Sequence, residues 1–300
     1  MTGLGARFWN RVISDRINEE RRLFIYRIII LLLTFIAYAN FRVARRPLAI
    51  VKSVFHIEKC TQNSTNSCGF APFDNSSGKE LLGYLDSIFL FVYAGATFLS
   101  GYIAERTNIS WMLASMNFIS AAILFSFGLA KYFQIHQFWY FVFLQILFGF
   151  AQVGIPPIIS IVGEWFGNTK KGTIFGIWGW HTSVGNMIGS AIAGIFVDSD
   201  WAWSFYSIGI ISIIVGFLMI FLLVPNPTMV NLWVEKANKR ENYLEINDNE
   251  PRVAISVWDA ILIPGVIEFS LCLFFTKLVS YSFLYWLPYY LKNTGKLFLF

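Results

Sequence analysis

Charge, cysteine and histidine are what this 300-residue chain is short of. Only 14% of its residues are Asp, Glu, Lys or Arg, and it has three cysteines and three histidines. A soluble fold of this length would spread many more charges over its surface, so that class is excluded. Three cysteines exclude a disulfide scaffold; Cys60 and Cys68 lie in one polar segment and can pair, whereas Cys272 sits in an apolar run. No histidine–carboxylate metal spacing, no glycine loop ahead of a helix for phosphate and no nucleophile with a plausible base is present, so neither catalysis nor a cofactor is expected. The net charge of +5 does not point to nucleic acid, because the basic residues flank apolar runs. What is abundant is hydrophobic sequence, at 56%, with 18% aromatics. That is the composition of an all-α polytopic membrane protein lying in a lipid bilayer.

Seven apolar segments are long enough to span, at about 24–54, 81–104, 111–130, 138–161, 173–197, 202–224 and 264–291. The tail at 1–23 carries Arg7, Arg11, Arg16, Arg21 and Arg22 with no short apolar core, so no cleavable signal peptide is expected and the N-terminus reads as cytosolic. Arg106 and Lys170-Lys171 fall on that same side, and the turn with Asp198 and Asp200 falls on the other. The polar loop at 55–80 is then luminal or extracellular. It holds the Cys60–Cys68 pair and glycosylation sequons at Asn63 and Asn75. A third sequon, at Asn108, lies on the cytosolic side and should be silent. Pro225-Asn226-Pro227 ends the sixth span. The charged stretch at 225–263 separates a six-span half, 24–224, from a seventh span in 264–300.

The first span runs straight into Arg42, Arg45, Arg46 and Lys52. Leu23 to Val54 as one helix would measure about 48 Å, against a hydrocarbon core of about 30 Å. Tyr38, Arg45 and Lys52 are seven apart and would share one face, with Arg42 beside them and Arg46 turned about 100° away. Two readings fit: a row of snorkelling interfacial residues, or cations facing a wet cavity. The positive-inside pattern favours the cavity, since otherwise this whole basic cluster would lie outside. Lys277, flanked by apolar sequence in the seventh span, reads the same way. Asp86 reads as a helix-end residue. Gly154-Ile155-Pro156-Pro157 breaks the fourth span, as Pro47 interrupts the first. In transporters built from inverted repeats, interruptions at corresponding positions mark the site. Gly172, Gly176, Gly179, Gly185, Gly189 and Gly194 offer a thin face for helix packing in the fifth span. His181 within that span either bonds a neighbouring helix or lines a cavity.

Between the second and third spans, Gly101-Tyr102-Ile103-Ala104-Glu105-Arg106 resembles the loop motif of the major facilitator superfamily, with Glu105 where aspartate is usual. Four further stretches sharpen the resemblance. They are Tyr38…Arg45-Arg46-Pro47…Val51-Lys52-Ser53, Ala71-Pro72-Phe73-Asp74, Gly176-Ile177-Trp178…His181-Thr182-Ser183-Val184-Gly185-Asn186, and Ile263-Pro264-Gly265-Val266-Ile267-Glu268 through Tyr285-Trp286-Leu287-Pro288. Together they resemble the sugar-phosphate/phosphate exchangers, glucose-6-phosphate type, of the endoplasmic reticulum membrane, within the organophosphate:phosphate antiporters. The resemblance implies twelve spans, a central cationic site, and exchange of a sugar phosphate for inorganic phosphate by alternating access. It implies that Arg45 binds phosphate, as the matching first-helix arginine does in the related bacterial glycerol-3-phosphate transporter. The bacterial seventh-helix arginine aligns with Ser280, one turn from Lys277, and the bacterial fifth-helix histidine falls one residue from His181. Twelve spans need a longer chain than 300 residues, so the expectation is a first half plus one span. Two other readings stay open: a seven-span receptor, which the cytosolic N-terminus opposes, and a non-transporting partner of a full-length homologue.

Overall fold

The computed structural model describes residues 4–12, 18–56, 69–104, 106–166, 171–230, 232 and 262–294. Cys60, Cys68, Asn63 and Glu105 lie outside the described residues. Those described are mostly helical, and six helices among them are long and apolar enough to cross a membrane: Glu19–Phe55, Gly78–Gly101, Ile109–Tyr132, Phe138–Phe166, Trp201–Leu222 and Val266–Leu291. The protein is an all-α polytopic membrane protein. It divides into two units, Met1–Val234 and Glu235–Phe300.

The first unit opens with α1, Leu4–Val12, inside what the sequence offered only as a basic tail. Its Ala6 is buried, and Trp9 Nε1 donates to the Leu222 carbonyl at 2.8 Å. Carbonyls at a helix C-terminus have no partner within the helix, so an indole N–H there fills a standing need. The remaining elements are α2 (Glu19–Ala44), α3 (Arg46–Phe55), α4 (Gly78–Ala104), α5 (Ile109–Tyr132), α6 (Phe138–Ala151), α7 (Ile155–Phe166), α8 (Lys171–Trp178), α9 (His181–Val197) and α10 (Trp201–Leu222). Asn108 caps α5 by accepting from Ser110 N at 3.1 Å, and Asp200 caps α10 by accepting from Ala202 N at 3.0 Å. Helix α5 packs along α10, α4 along α6, and α2 against α9 and α10. Outward-facing side chains such as Phe91, Phe98, Trp139 and Ile195 are exposed and apolar, as lipid requires.

Three apolar segments that read as continuous are interrupted. Arg45 (φ −81°, ψ −11°) separates α2 from α3, because Pro47 has no N–H for the Val43 carbonyl. Gln152 to Gly154 separate α6 from α7, where Pro156 and Pro157 deny donors to the Gln152 and Val153 carbonyls. The fifth segment breaks at Gly179 and Trp180, just ahead of His181, leaving two helices too short to span singly.

Only part of the expected glycine face is used for packing. A Cβ on Gly185 would stand 2.5 Å from the Ala39 carbonyl oxygen and 2.9 Å from Arg42 Cβ; one on Gly189 would stand 2.9 Å from the Val43 carbonyl oxygen. These two glycines, one turn apart, bring the backbone of α9 onto the end of α2. Gly172, Gly176 and Gly194 have open space around them.

The Ala71-Pro72-Phe73-Asp74 stretch folds back over the end of α3. Phe73 stacks on Phe55 with centroids 5.3 Å apart, Trp201 meets Phe55 edge-on at 4.9 Å, and His56 Nδ1 lies 2.8 Å from the Phe73 carbonyl. This aromatic cluster joins the end of α3 to the start of α10. The second unit contributes α11, Val266–Thr294, a long helix with Pro288 inside it and apolar exposed residues including Phe269, Phe274 and Leu278.

Candidate functional site

Arg45 stands at the break between α2 and α3, and the break between α6 and α7 meets it. Arg45 Nε donates to Gln152 Oε1 at 3.1 Å and Nη2 to the Gln152 carbonyl at 3.3 Å. That carbonyl is the one Pro156 leaves without a helical donor. Gln152 is in turn oriented by donating from Nε2 to Ser120 Oγ at 3.1 Å. The guanidinium also lies 4.3 Å from the Tyr93 ring centroid and 5.1 Å from that of Phe89. These partners are neutral or aromatic.

Arg42 is the second cation here. Its Nη2 donates to Tyr38 Oη at 2.8 Å, and its guanidinium lies 5.1 Å from the Tyr38 ring. Tyr38 also faces His181, with ring centroids 4.3 Å apart, and Trp178 at 5.7 Å. Trp178 and His181 meet edge-on at 4.1 Å, and the Arg42 charge acts on the His181 ring. Tyr38 interacts electrostatically with both Arg45 and Tyr93. The structure therefore brings Tyr38, Arg45 and His181 into one neighbourhood. Lys277 and Ser280 lie on α11 in the second unit; both are exposed, and Ser280 Oγ donates to the Thr276 carbonyl at 2.8 Å.

Lys52 is fully buried in an ion pair with Asp86. Asp86, Phe89 and Tyr93 lie three and then four residues apart on α4, so Lys52 and Arg45 meet the same face of that helix. Asp86 is thus a buried partner rather than a loose helix-end acid. Arg46 is half-buried, with Cγ 2.8 Å from where a Cβ on Gly189 would lie. In the loop motif, a Cβ on Gly101 would stand 4.0 Å from Pro156 Cβ of the broken fourth span, and Arg106 N bonds the Ile103 carbonyl in a tight turn. Asn75 is exposed, with its carbonyl accepting from Gly78 N at 2.8 Å. Sequence reasoning missed Gln152, Tyr93 and Trp178. Only Gln152 left a signal, standing four residues before Pro156. No group of His, Cys, Asp and Glu among the described residues could hold a metal ion.

A helical membrane bundle with broken spans meeting at a buried arginine defines a transporter-like scaffold. The sequence profile of the Major Facilitator Superfamily matches residues 30–297, and the chain belongs to that superfamily. It is 41% identical over 305 residues to the glucose-6-phosphate exchanger SLC37A2 of Bos taurus, covering 89% of this chain and 62% of the relative. It is 40% identical over 307 residues to SLC37A2 of Homo sapiens (90% and 61%) and 34% identical over 342 residues to the human glucose-6-phosphate exchanger SLC37A1 (91% and 64%). The chain spans about three fifths of the length of these relatives.

Proposed function

We propose that this chain carries the first-half substrate site of an antiporter that exchanges a sugar phosphate, of the glucose 6-phosphate type, for inorganic phosphate by alternating access. The observation that carries this is the Arg45 junction. A buried guanidinium is held there by a neutral glutamine where two broken helices meet, beside a second arginine and two tyrosines. A phosphate dianion offers the oxygens that such a fork recognises, and two cations near one point repel each other until an anion binds. Requiring an anion before the transporter closes makes net movement an exchange. In this reading Arg45 binds phosphate, with Tyr38 and His181 as neutral contacts. Lys277 contributes positive charge from α11, with Ser280 on the same helix. The protein sits in the endoplasmic reticulum membrane with its N-terminus cytosolic.

The test is uptake of labelled glucose 6-phosphate into proteoliposomes carrying the transporter with all its spans. Vesicles loaded with phosphate should take up label and empty ones should not. Arg45→Lys should impair exchange nearly as much as Arg45→Ala, because lysine keeps the charge and loses the fork. Losing one charge-assisted bond to buried phosphate corresponds to roughly 10- to 150-fold in affinity. Uptake that ignores internal phosphate would refute antiport, and normal exchange by Arg45→Ala would refute the site.

A further inference from the structure

Three buried polar atoms around one tyrosine ring have no hydrogen-bond partner among the described residues: Arg42 Nε, Trp178 Nε1 and His181 Nε2. Their side chains all adjoin Tyr38. All three are more than nine-tenths buried: Arg42 and Trp178 are each 7% exposed, and His181 4%. Guanidinium and indole N–H groups can only donate. His181 Nδ1 lies 2.9 Å from Thr182 Oγ1. With that hydroxyl donating to Nδ1, the ring proton sits on Nε2 and the third atom is a donor too. Elsewhere in this unit Lys52 is engaged by Asp86, and the Asn40 amide by Asn117 and Ser212.

The surroundings favour negative charge. Helix α9 begins at His181, which puts the positive end of its dipole at that residue, and its Thr182 and Val184 N–H groups donate to the Gly179 and Trp180 carbonyls. One turn later Gly185 lets that helix close onto Arg42. No carboxylate among the described residues bonds Arg42, whose described hydrogen bond is to Tyr38. Two donors that cannot accept, one of them cationic, beside the His181 ring at the start of a helix suit an oxyanion better than a hydroxyl-bearing ring, which needs acceptors as well as donors.

We propose that Arg42, Trp178 and His181 form a phosphoryl subsite beside Arg45, so that the two arginines together match the double charge of a phosphate dianion. This rests on the reading of Arg45 as a phosphate ligand and adds Arg42 and Trp178 to it. Because these residues all come from α2, α8 and α9, the subsite is complete within this chain.

The experiment is equilibrium binding of radiolabelled inorganic phosphate to the purified chain in lipid nanodiscs, with unlabelled glucose 6-phosphate and glucose as competitors. Wild type should bind phosphate and be displaced by glucose 6-phosphate but not by glucose. Arg42→Gln should lower affinity roughly 10- to 150-fold, and Trp178→Phe, which keeps a ring but removes the N–H, about fivefold. Thermal unfolding of each variant separates lost binding from lost folding, and Trp178→Phe carries the test should Arg42→Gln fail to fold. Wild type that binds no phosphate overturns the subsite. Wild-type affinity in a folded Arg42→Gln or Trp178→Phe protein, alongside loss in Arg45→Ala, overturns it while leaving the Arg45 reading intact. Variants that weaken glucose 6-phosphate but not phosphate would assign these residues to the sugar and overturn it as well. Normal binding by Arg45→Ala sinks both proposals.

Discussion

Gln152→Glu separates an arginine kept for substrate from an arginine kept for structure. Gln152 Oε1 accepts from Arg45 Nε at 3.1 Å while its amide donates to Ser120 at 3.1 Å. Glutamate has nearly the same shape, and the Ser120 hydroxyl can turn round to donate to it. Arg45 then gains a charged partner; unit charges 4 Å apart attract by about 4 kcal/mol at an effective dielectric of 20. Burying the new carboxylate costs several kcal/mol, so folding stability should move by no more than about 1–2 kcal/mol. Substrate binding responds very differently. Each negative charge of a phosphate, roughly 6 Å from the new carboxylate, is repelled by about 3 kcal/mol at the same dielectric. Affinity should fall at least about a hundredfold. Gln152→Leu is the contrasting variant: it loses one bond to a charged group, destabilises by about 1.5–3 kcal/mol and leaves the Arg45 charge in place. Phosphate binding and thermal unfolding, measured on the same preparations, give both readouts. If Gln152→Glu binds phosphate like the wild type, Arg45 is not beside the substrate and the reasoning fails.

Asp86→Asn should destabilise the protein by about 3–5 kcal/mol, since it strips fully buried Lys52 of its carboxylate; a Lys52→Met/Asp86→Leu double variant should recover most of the loss in a thermal-shift assay, and failure to do so would argue that the pair does more than hold the fold. Gly185→Ala should cost about 1–3 kcal/mol through the contacts with Ala39 and Arg42, whereas Gly194→Ala, with open space around it, should be neutral; equal melting temperatures would contradict the close approach of α9. Outside the spans, burial pushes the Asp200 carboxyl up, but hydrogen bonds from Lys131, the Ala202 N–H and Tyr132 outweigh it and hold it below its usual range. A depressed folded value means stability present above the unfolded value near pH 4 and lost as the pH falls through the folded one. Melting curves of Asp200→Asn should lack that acid-dependent part, which for a pair this exposed amounts to about 1 kcal/mol or less.

The spans were legible because lipid imposes one simple demand, a long apolar run, and the proline breaks because a missing N–H has a fixed consequence four residues upstream. What lay beyond the sequence was the pairing of those breaks. The place of Gln152 four residues before Pro156 signals a released carbonyl but not that Arg45 takes it, since that match depends on two helices being packed side by side. Lys52 shows a similar limit. Counting in sevens from Tyr38 through Arg45 groups it with the arginine, and both meet one face of α4, but the count does not say that the residue opposite Lys52 is Asp86. Arg42 was legible as a neighbour of Arg45; its relation to Trp178 and His181 was not, because the break at Gly179 and Trp180 decides where His181 begins its helix.

The same transmembrane segment thus treats two buried cations in opposite ways. Lys52 is matched by a carboxylate, which leaves a neutral pair with no field to offer an anion. Arg45 is held by a side-chain amide and a carbonyl that a proline has released. Those dipoles orient the guanidinium without themselves bringing a negative charge to it. A carboxylate in place of Gln152 would hold Arg45 more tightly and compete with any anion arriving from water. The proline in the fourth span is therefore more than a kink. By freeing a backbone acceptor at the depth of Arg45, it supplies one of the neutral groups that hold the guanidinium in place.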